Sequence, residues 1–330
     1  MLNNYSYHNS KIESLHFSLF KTFTNFKMSK RTSVTVSFDN FKASQLVVAE
    51  EPYALEKGGK IVSLRYQDSG RTYDILRLQT PELTIGNVWD NMDQQTQQLA
   101  SHTIALNLDT LHAADAEAGV EEPSEDADEA AFRKYDQFTF VQTLDAIDNA
   151  VVDKAVAKSW FKEKGKALDR AGVSGKFSNT CHWPNEEKYT LGIRVKINVR
   201  DYDYSARKVF IFDQEERDIS YYKLDEATNE RVYSHETARF ASLTTPAVFN
   251  IDALRTRNTR ILRAIIESNN AWVQTGLSVS WKLTNVQVEV NEGTTYGNDA
   301  WVPSATNKRR RVQQQEQEDS TTNMTDTNDV

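Results

Sequence analysis

Apolar side chains recur at every second position in several stretches of this chain, a period that puts them on one face of an extended strand. Val34, Val36 and Phe38 alternate first, and Ile61 to Tyr66 and Tyr73 to Leu78 flank the turn-like Gln67-Asp68-Ser69-Gly70 and predict a hairpin. The longest alternation is Leu191, Ile193, Val195, Ile197 and Val199, whose opposite face carries Gly192, Arg194, Lys196, Asn198 and Arg200. A strand from Arg207 to Phe212 follows the turn Asp201 to Ala206. Leu277, Val279, Trp281 and Leu283 then alternate before the phase moves to Val286, Val288 and Val290, which predicts a bulge near Thr284 and Asn285.

Two stretches have helical spacing instead. Phe132, Tyr135, Phe138, Val141, Leu144, Ile147, Val151 and Ala155, then Ser159-Trp160-Phe161, keep a step of three to four until a stop at Lys164-Gly165. That stripe reads as core packed against a sheet. A second, shorter helix is predicted from Ile251 to Asn269, with Leu254, Ile261, Leu262, Ile265 and Ile266 apolar and Arg255, Arg257, Arg260 and Arg263 opposite. The fold class expected is therefore mostly β, with one long helix and one shorter one.

The formal charge of −8 hides an uneven distribution. Between Leu78 and Phe132 there are 12 acidic residues and no basic one, and from Gln313 to Val330 there are 5 acids and no base. With both runs set aside, the remaining body has nine more basic than acidic residues. A polyanion-binding domain with acidic appendages would look like this, and so would ordinary solvated surface. Residues 90–131, with Gln94-Gln95-Thr96-Gln97-Gln98 and the Ala/Glu/Asp-rich run Ala113 to Ala131, read as an acidic surface insertion. Residues 304–330 read as a disordered tail, a basic cluster Lys308-Arg309-Arg310-Arg311 followed by an acidic end. Residues 33–303 are the expected domain. Residues 1–32 form an N-terminal extension, which reads either as a basic amphipathic transit segment or, with Met28 followed by Ser29-Lys30-Arg31, as sequence upstream of the true start.

Several chemistries lack their residues. A single cysteine, Cys181, excludes an internal disulfide and any CxxC metal site, and no apolar run approaches the roughly 20 residues that span a bilayer, so no membrane partner is expected. Neither Gly58-Gly59-Lys60-Ile61 nor Gly175-Lys176-Phe177 satisfies the phosphate-cradling GxxxxGK[ST], and GxGxxG is missing. The six histidines have no metal-ligand spacing, and Cys181 and His182, as neighbours in an extended segment, should point apart. Asp201 and Asp203 have the spacing of a Mg²⁺ nuclease pair but read as loop acids. No catalytic residue, metal or cofactor is expected.

What the chain does offer is the combination that binds single strands: cations tracking phosphates and aromatic faces for bases. Arg194, Lys196 and Arg200 share one strand face, at about 7 Å per two residues, and Tyr202, Tyr204, Arg207 and Lys208 follow. Arg65, Arg71 and Arg77 form a weaker second set.

Five stretches also resemble, as a set, the single-stranded-DNA-binding proteins of nucleocytoplasmic large DNA viruses, which are related to those of short-tailed phages. They are Phe38-Asp39-Asn40-Phe41-Lys42 with Gln45-Leu46-Val47, Lys57-Gly58-Gly59-Lys60, Leu76-Arg77-Leu78-Gln79-Thr80-Pro81, Ser159-Trp160-Phe161, and Gly276-Leu277 through Trp281-Lys282-Leu283. The likeness spans about Val34 to Val290. It implies an OB-fold-like barrel that coats single-stranded DNA in viral replication, recombination or repair, in a cytoplasmic viral factory, the nucleus or the virion. It also implies an acidic tail that recruits a viral DNA polymerase, helicase or primase, and is compatible with a homodimer; the tethered acids Glu316, Glu318, Asp319, Asp326 and Asp329 are expected in addition to compete with DNA for the basic groove. The long acidic insertion and the basic cluster at Lys308 depart from the family. A structural all-β capsid or scaffold component remains the alternative reading.

Overall fold

The computed structural model describes residues 31–289 apart from 57, 183–190, 203, 206 and 256–258. From Ser33 onward these form one unit. In chain order come β1 (Ser33–Ser37), β2 (Leu46–Val48), β3 (Tyr53–Ala54), β4 (Lys60–Asp68), β5 (Arg71–Tyr73), β6 (Ile75–Gln79), β7 (Leu83–Met92) and β8 (Leu99–Leu108). A short helix α1 (Ala113–Ala118) and the long helix α2 (Glu129–Ala157) follow, then β9 (Lys162–Glu163), β10 (Lys166–Ala167), α3 (Arg170–Ser174), β11 (Phe177–Ser178), β12 (Cys181–His182) and β13 (Leu191–Asn198). The rest comprises β14 (Phe210–Phe212), β15 (Tyr221–Leu224), β16 (Arg231–Tyr233), α4 (Thr237–Ser242), β17 (Val248–Phe249), α5 (Asp252–Arg255), β18 (Arg260–Ser268), β19 (Asn270–Val273), β20 (Leu277–Val279) and β21 (Lys282–Val288).

Five strands close on themselves. β7 pairs with β8, β8 with β13, β13 with β21, β21 with β18 and β18 with β7, all antiparallel except the β13–β21 pair. Numbered along the chain, their order around the ring is 1-2-3-5-4 and back to 1, the Greek-key closure of an OB-like barrel. Ile104, Leu106 and Leu108 on β8 and Ile193, Val195 and Ile197 on β13 are buried inside it. The expected alternation on β13 is thus present. So is the expected bulge: Ile265 pairs with Asn285 and Ile266 with Leu283, leaving Thr284 as the extra residue. Its hydroxyl donates to the Ile265 carbonyl at 3.1 Å.

The long helix packs one face on two cores. Phe140, Val141, Leu144 and Ile147 join the barrel core, while Val151, Val152 and Ala155 join a second cluster with Val62, Ala271 and Leu277. That second cluster lies under a sheet ordered β11-β20-β19-β4-β2, with β3 and β5 also on β4. The helix stops at Ala157, earlier than its apolar stripe predicts. Ser159 turns the chain at φ 51°, and the Trp160 indole donates to the Glu50 carbonyl at 3.0 Å, which fixes Trp160 outside the helix. Lys164 and Gly165, at φ 48° and 80°, make the tight turn between β9 and β10.

Three further expectations are revised. Ile251 to Asn269 is not a helix: α5 takes four residues and β18 takes the apolar run, because β18 is covered by β6 and β7 on one edge and β21 on the other. The hairpin around Ser69-Gly70 forms, but only Arg71–Tyr73 stays with β4, and Ile75–Gln79 crosses to pair with β1 and β18. Leu99–Leu108, inside the expected acidic insertion, is a barrel strand. The conspicuous Phe38 and Thr80 stretches are joints. Phe38 meets Phe140 edge-on and its carbonyl accepts the Thr143 hydroxyl at 3.0 Å. The Thr80 hydroxyl accepts the Ala264 N–H at 3.0 Å while its own N–H donates to the Ala264 carbonyl at 2.8 Å. Residues 1–30, Lys57, Asp203, Arg257, Val290 and the tail with Lys308 to Arg311 lie outside the described residues.

Candidate nucleic-acid interface

A bulge in β7 creates the face of interest. Ile85 pairs with Leu106 and Val88 with Ile104, so three steps on β7 match two on β8. The extra residue reverses the alternation. Leu83 and Ile85 point into the barrel, yet Trp89 points out and is 40% exposed. A Cβ at Gly86 would lie 2.8 Å from the Asn107 side-chain amide and 3.1 Å from the Ala105 Cβ, so any larger residue would displace the Asn107 side chain.

Across the strands, Trp89 pairs with Thr103, Thr103 with Lys196 and Lys196 with Lys282, giving one outward row of aromatic, small polar and two cationic side chains. The neighbouring row has Ala105 opposite Arg194. The Arg194 guanidinium lies over the Trp89 ring, 5.6 Å from its centroid. On the other side Asn91 donates to the Ser101 hydroxyl at 3.2 Å and the Thr103 hydroxyl at 2.9 Å, which fixes a polar floor. Small side chains on β8 thus lie between an indole on β7 and exposed Arg194 and Lys196 on β13.

The electrostatics of this row are unusual. Lys196 and Lys282 sit directly opposite one another, where like charges repel. Among the described residues no carboxylate is within ion-pair distance of Arg194, Lys196 or Lys282. Several other cations of the barrel are paired with carboxylates. Arg260 grips Glu82 with contacts of 2.5 and 2.8 Å, Arg133 binds Asp109 at 2.7 Å, and Arg255 binds both oxygens of Asp90 at 2.9 Å. Partial burial raises the Asp90 carboxyl, but hydrogen bonds from His102 and Arg255 outweigh it and hold the group below its usual range.

Most of the other candidate residues are dispersed. Arg200 is exposed but belongs to the 3-10 turn Val199–Tyr202, because β13 ends at Asn198, whose amide donates to Asp201 at 3.0 Å. Tyr202 stacks on Phe249 at 4.2 Å and on His102 at 5.6 Å, so its ring is engaged in packing; burial raises its phenol well above the usual range. Tyr204 is more open, edge-on to Tyr221 with the Arg207 guanidinium over its ring. Arg207 also pairs with Asp218, and Lys208 with Asp201 at 3.2 Å. Arg65 lies apart on β4, facing Asp74 at 3.6 Å, whereas Arg77 on β6 extends the outward row: it stands opposite Glu267, its partner at 3.3 Å, and Glu267 stands opposite Lys282. Cys181 is buried and His182 exposed, as neighbours in a strand should be. Trp89 and Lys282 join the set from the structure. Trp89 is invisible to a period-two reading because the bulge interrupts it.

No family model matches the sequence, and no curated protein matches it. Among solved structures, the single-stranded DNA-binding protein of bacteriophage Enc34 in complex with ssDNA is similar with a TM-score of 0.29 and 9% identity, covering 74% of this chain and 97% of that one. A C-terminal truncation of the same phage protein gives 0.26 and 11%, covering 78% and 99%. The barrel assignment rests on the strand pairing above, independently of these likenesses.

Proposed function

We propose that this chain binds single-stranded DNA without sequence preference across the outer face of β7, β8 and β13. The observation that supports this reading is the row Trp89, Thr103, Lys196 and Lys282, with Arg194 over the indole. It crosses the second and third strands of the barrel, the face that OB-folds offer to oligonucleotides, and reaches the flanking strands β7 and β21. A base stacked on Trp89 would contribute about 1–3 kcal/mol, and any base has a ring face to offer, which accounts for the lack of sequence preference. The two opposed lysines lose their mutual repulsion once a phosphate lies between them. In this reading the protein coats strands exposed during viral DNA replication, recombination or repair, and the acidic end after Gln313 recruits a polymerase, helicase or primase.

The test is fluorescence anisotropy with a labelled oligothymidylate of about 15 nucleotides, titrated with salt. Trp89→Ala is expected to weaken binding roughly five- to 150-fold with little change in melting temperature, the stacking contribution of one base. Arg194→Ala with Lys196→Ala should make the slope of log K against log salt shallower by about 1.4, two phosphate contacts on a single strand. Wild-type protein that fails to bind, or variants that bind as wild type does, would refute the assignment.

A further inference from the structure

We infer that the second sheet carries a separate stacking subsite for single-stranded DNA, built on Tyr53 and Trp272. This inference rests on the function proposed above and concerns residues outside the barrel face. Tyr53 on β3 and Trp272 on β19 both pair with Ile61 on β4, so the three side chains form one cross-strand row. Ile61 in the middle is 6% exposed, while the flanking rings are 47% and 38% exposed. Two strand spacings separate the rings at their Cβ atoms, about 9–10 Å. Each ring therefore offers a face to its own base, above an aliphatic floor.

The surroundings favour a nucleic acid over a protein or lipid partner. Beyond Trp272 the row continues through Ser278 and Ser178, small hydroxyl side chains that leave the indole uncovered on that side. Along β4 the same face runs from Ile61 through Ser63, which pairs with Asn270, to the half-exposed Arg65. The opposite direction ends at Gly59, where a Cβ would lie 2.4 Å from the Gln274 amide nitrogen, so the Gln274 side chain packs directly over the glycine. An apolar partner would find only three apolar side chains in a polar field. A strand of nucleotides finds two ring faces, hydroxyls and amides for sugar and base edges, and a guanidinium about 13 Å from the rings, two steps of roughly 6.7 Å along β4. Arg65 faces Asp74 at 3.6 Å, a loose and exposed pair that a phosphate can replace.

The experiment compares two oligothymidylates, one of about 6 nucleotides that the barrel face alone can fill and one of about 25 that can also reach a second subsite. Tyr53→Ala with Trp272→Ala in the full chain should leave the short oligonucleotide bound within twofold and weaken the long one by tenfold or more. Tyr53→Phe with Trp272→Phe, which keeps the ring faces, should restore the long one. Unchanged binding of the long oligonucleotide overturns the inference. Equal loss for both lengths also overturns it, since the row would then support the barrel site and not a second one. If the alanine variant instead loses a self-associated form seen by sedimentation and keeps its affinity for the long oligonucleotide, the inference is overturned and the row is a contact between copies of the chain. Failure of wild-type protein to bind either length would bring down the proposed function itself, a result distinct from all of these.

Discussion

Asp148 should make this protein less stable at neutral pH than at mildly acidic pH, and replacing it by asparagine should remove that loss. The side chain projects from α2 toward the segment before β12 and is buried, with its oxygens accepting the Thr180 N–H and hydroxyl, each at 2.7 Å. Burial dominates and pushes its carboxyl up to about 7; the Thr180 hydrogen bonds oppose this and nearby Asp145 adds to it. In the unfolded chain the same group titrates near 3.8. A raised folded-state value means that the folded protein holds the proton more tightly, so the contribution is complete below pH 4 and is lost as pH climbs to about 7. Three units correspond to about 4 kcal/mol over the whole window, of which about 2–3 kcal/mol falls between pH 5 and pH 8. The asparagine side chain would keep an acceptor for the Thr180 N–H and carry no charge. In urea titrations of wild type and Asp148→Asn at both pH values, the variant's advantage should grow by about 2–3 kcal/mol from pH 5 to pH 8. Because every other titrating group is common to both proteins, a difference that stays constant with pH would refute the buried-carboxyl argument.

Two further outcomes test the packing that positions the interface. Tyr202→Phe removes a buried hydroxyl that has no hydrogen-bond partner among the described residues, so stability should be unchanged or higher by about 1 kcal/mol, and oligonucleotide affinity unchanged; a several-fold loss of affinity would place that hydroxyl at the DNA. Thr80→Val leaves the buried Ala264 N–H without its side-chain acceptor and should cost about 1–3 kcal/mol in urea unfolding; a variant as stable as wild type would show that this joint does not hold β6 to β18.

The readability of each strand follows the number of its faces and edges that are covered. β13 is legible in full because one face meets the core and the other meets solvent, so Ile193, Val195 and Ile197 alternate cleanly with Arg194 and Lys196. β18 reads as a helix because Ile261, Leu262, Ile265 and Ile266 are apolar with little regard to parity. Pairing on both edges and a register shift at Ile265 bury both sides, and such a run has no period to distinguish it. The bulge at Thr284 is visible because apolar residues stand on both sides of it. The bulge before Val88 is not, because Gly86 and Asn87 leave no apolar mark, and with it goes Trp89, the aromatic side chain on which the candidate face turns. The stripe overextends helix α2 for a related reason: Trp160 and Phe161 continue it in sequence but are buried or bonded from outside the helix.

Net charge points toward a polyanion by a step that the structure revises. Setting the acidic run between Leu78 and Phe132 aside treats it as an appendage. Yet Glu82, Asp90, Asp109, Asp115 and Glu129 from that run are the partners of Arg260, Arg133, Arg255 and Lys134. Those cations are engaged within the protein: a phosphate could recruit Arg133 or Arg260 only by breaking charge-assisted bonds to the buried Glu82 worth about 1.5–3 kcal/mol each, while the more exposed pairs of Arg255 and Lys134 hold them by about 0–1 kcal/mol. The excess of positive charge over the whole body is therefore no measure of the field that a strand of DNA would meet. What it would meet is local: Arg194, Lys196 and Lys282 within two adjacent rows, the two lysines opposed, with Glu267 opposite Lys282 on its other edge and bonded to Arg77. Lys196 and Lys282 repel one another across β13 and β21, with Glu267 offsetting part of this on the Lys282 side, so their presence on the face that also exposes Trp89 is more telling than the sign of the total charge. The effect of removing one of them should accordingly be asymmetric, weakening the bound state while relieving repulsion in the free one.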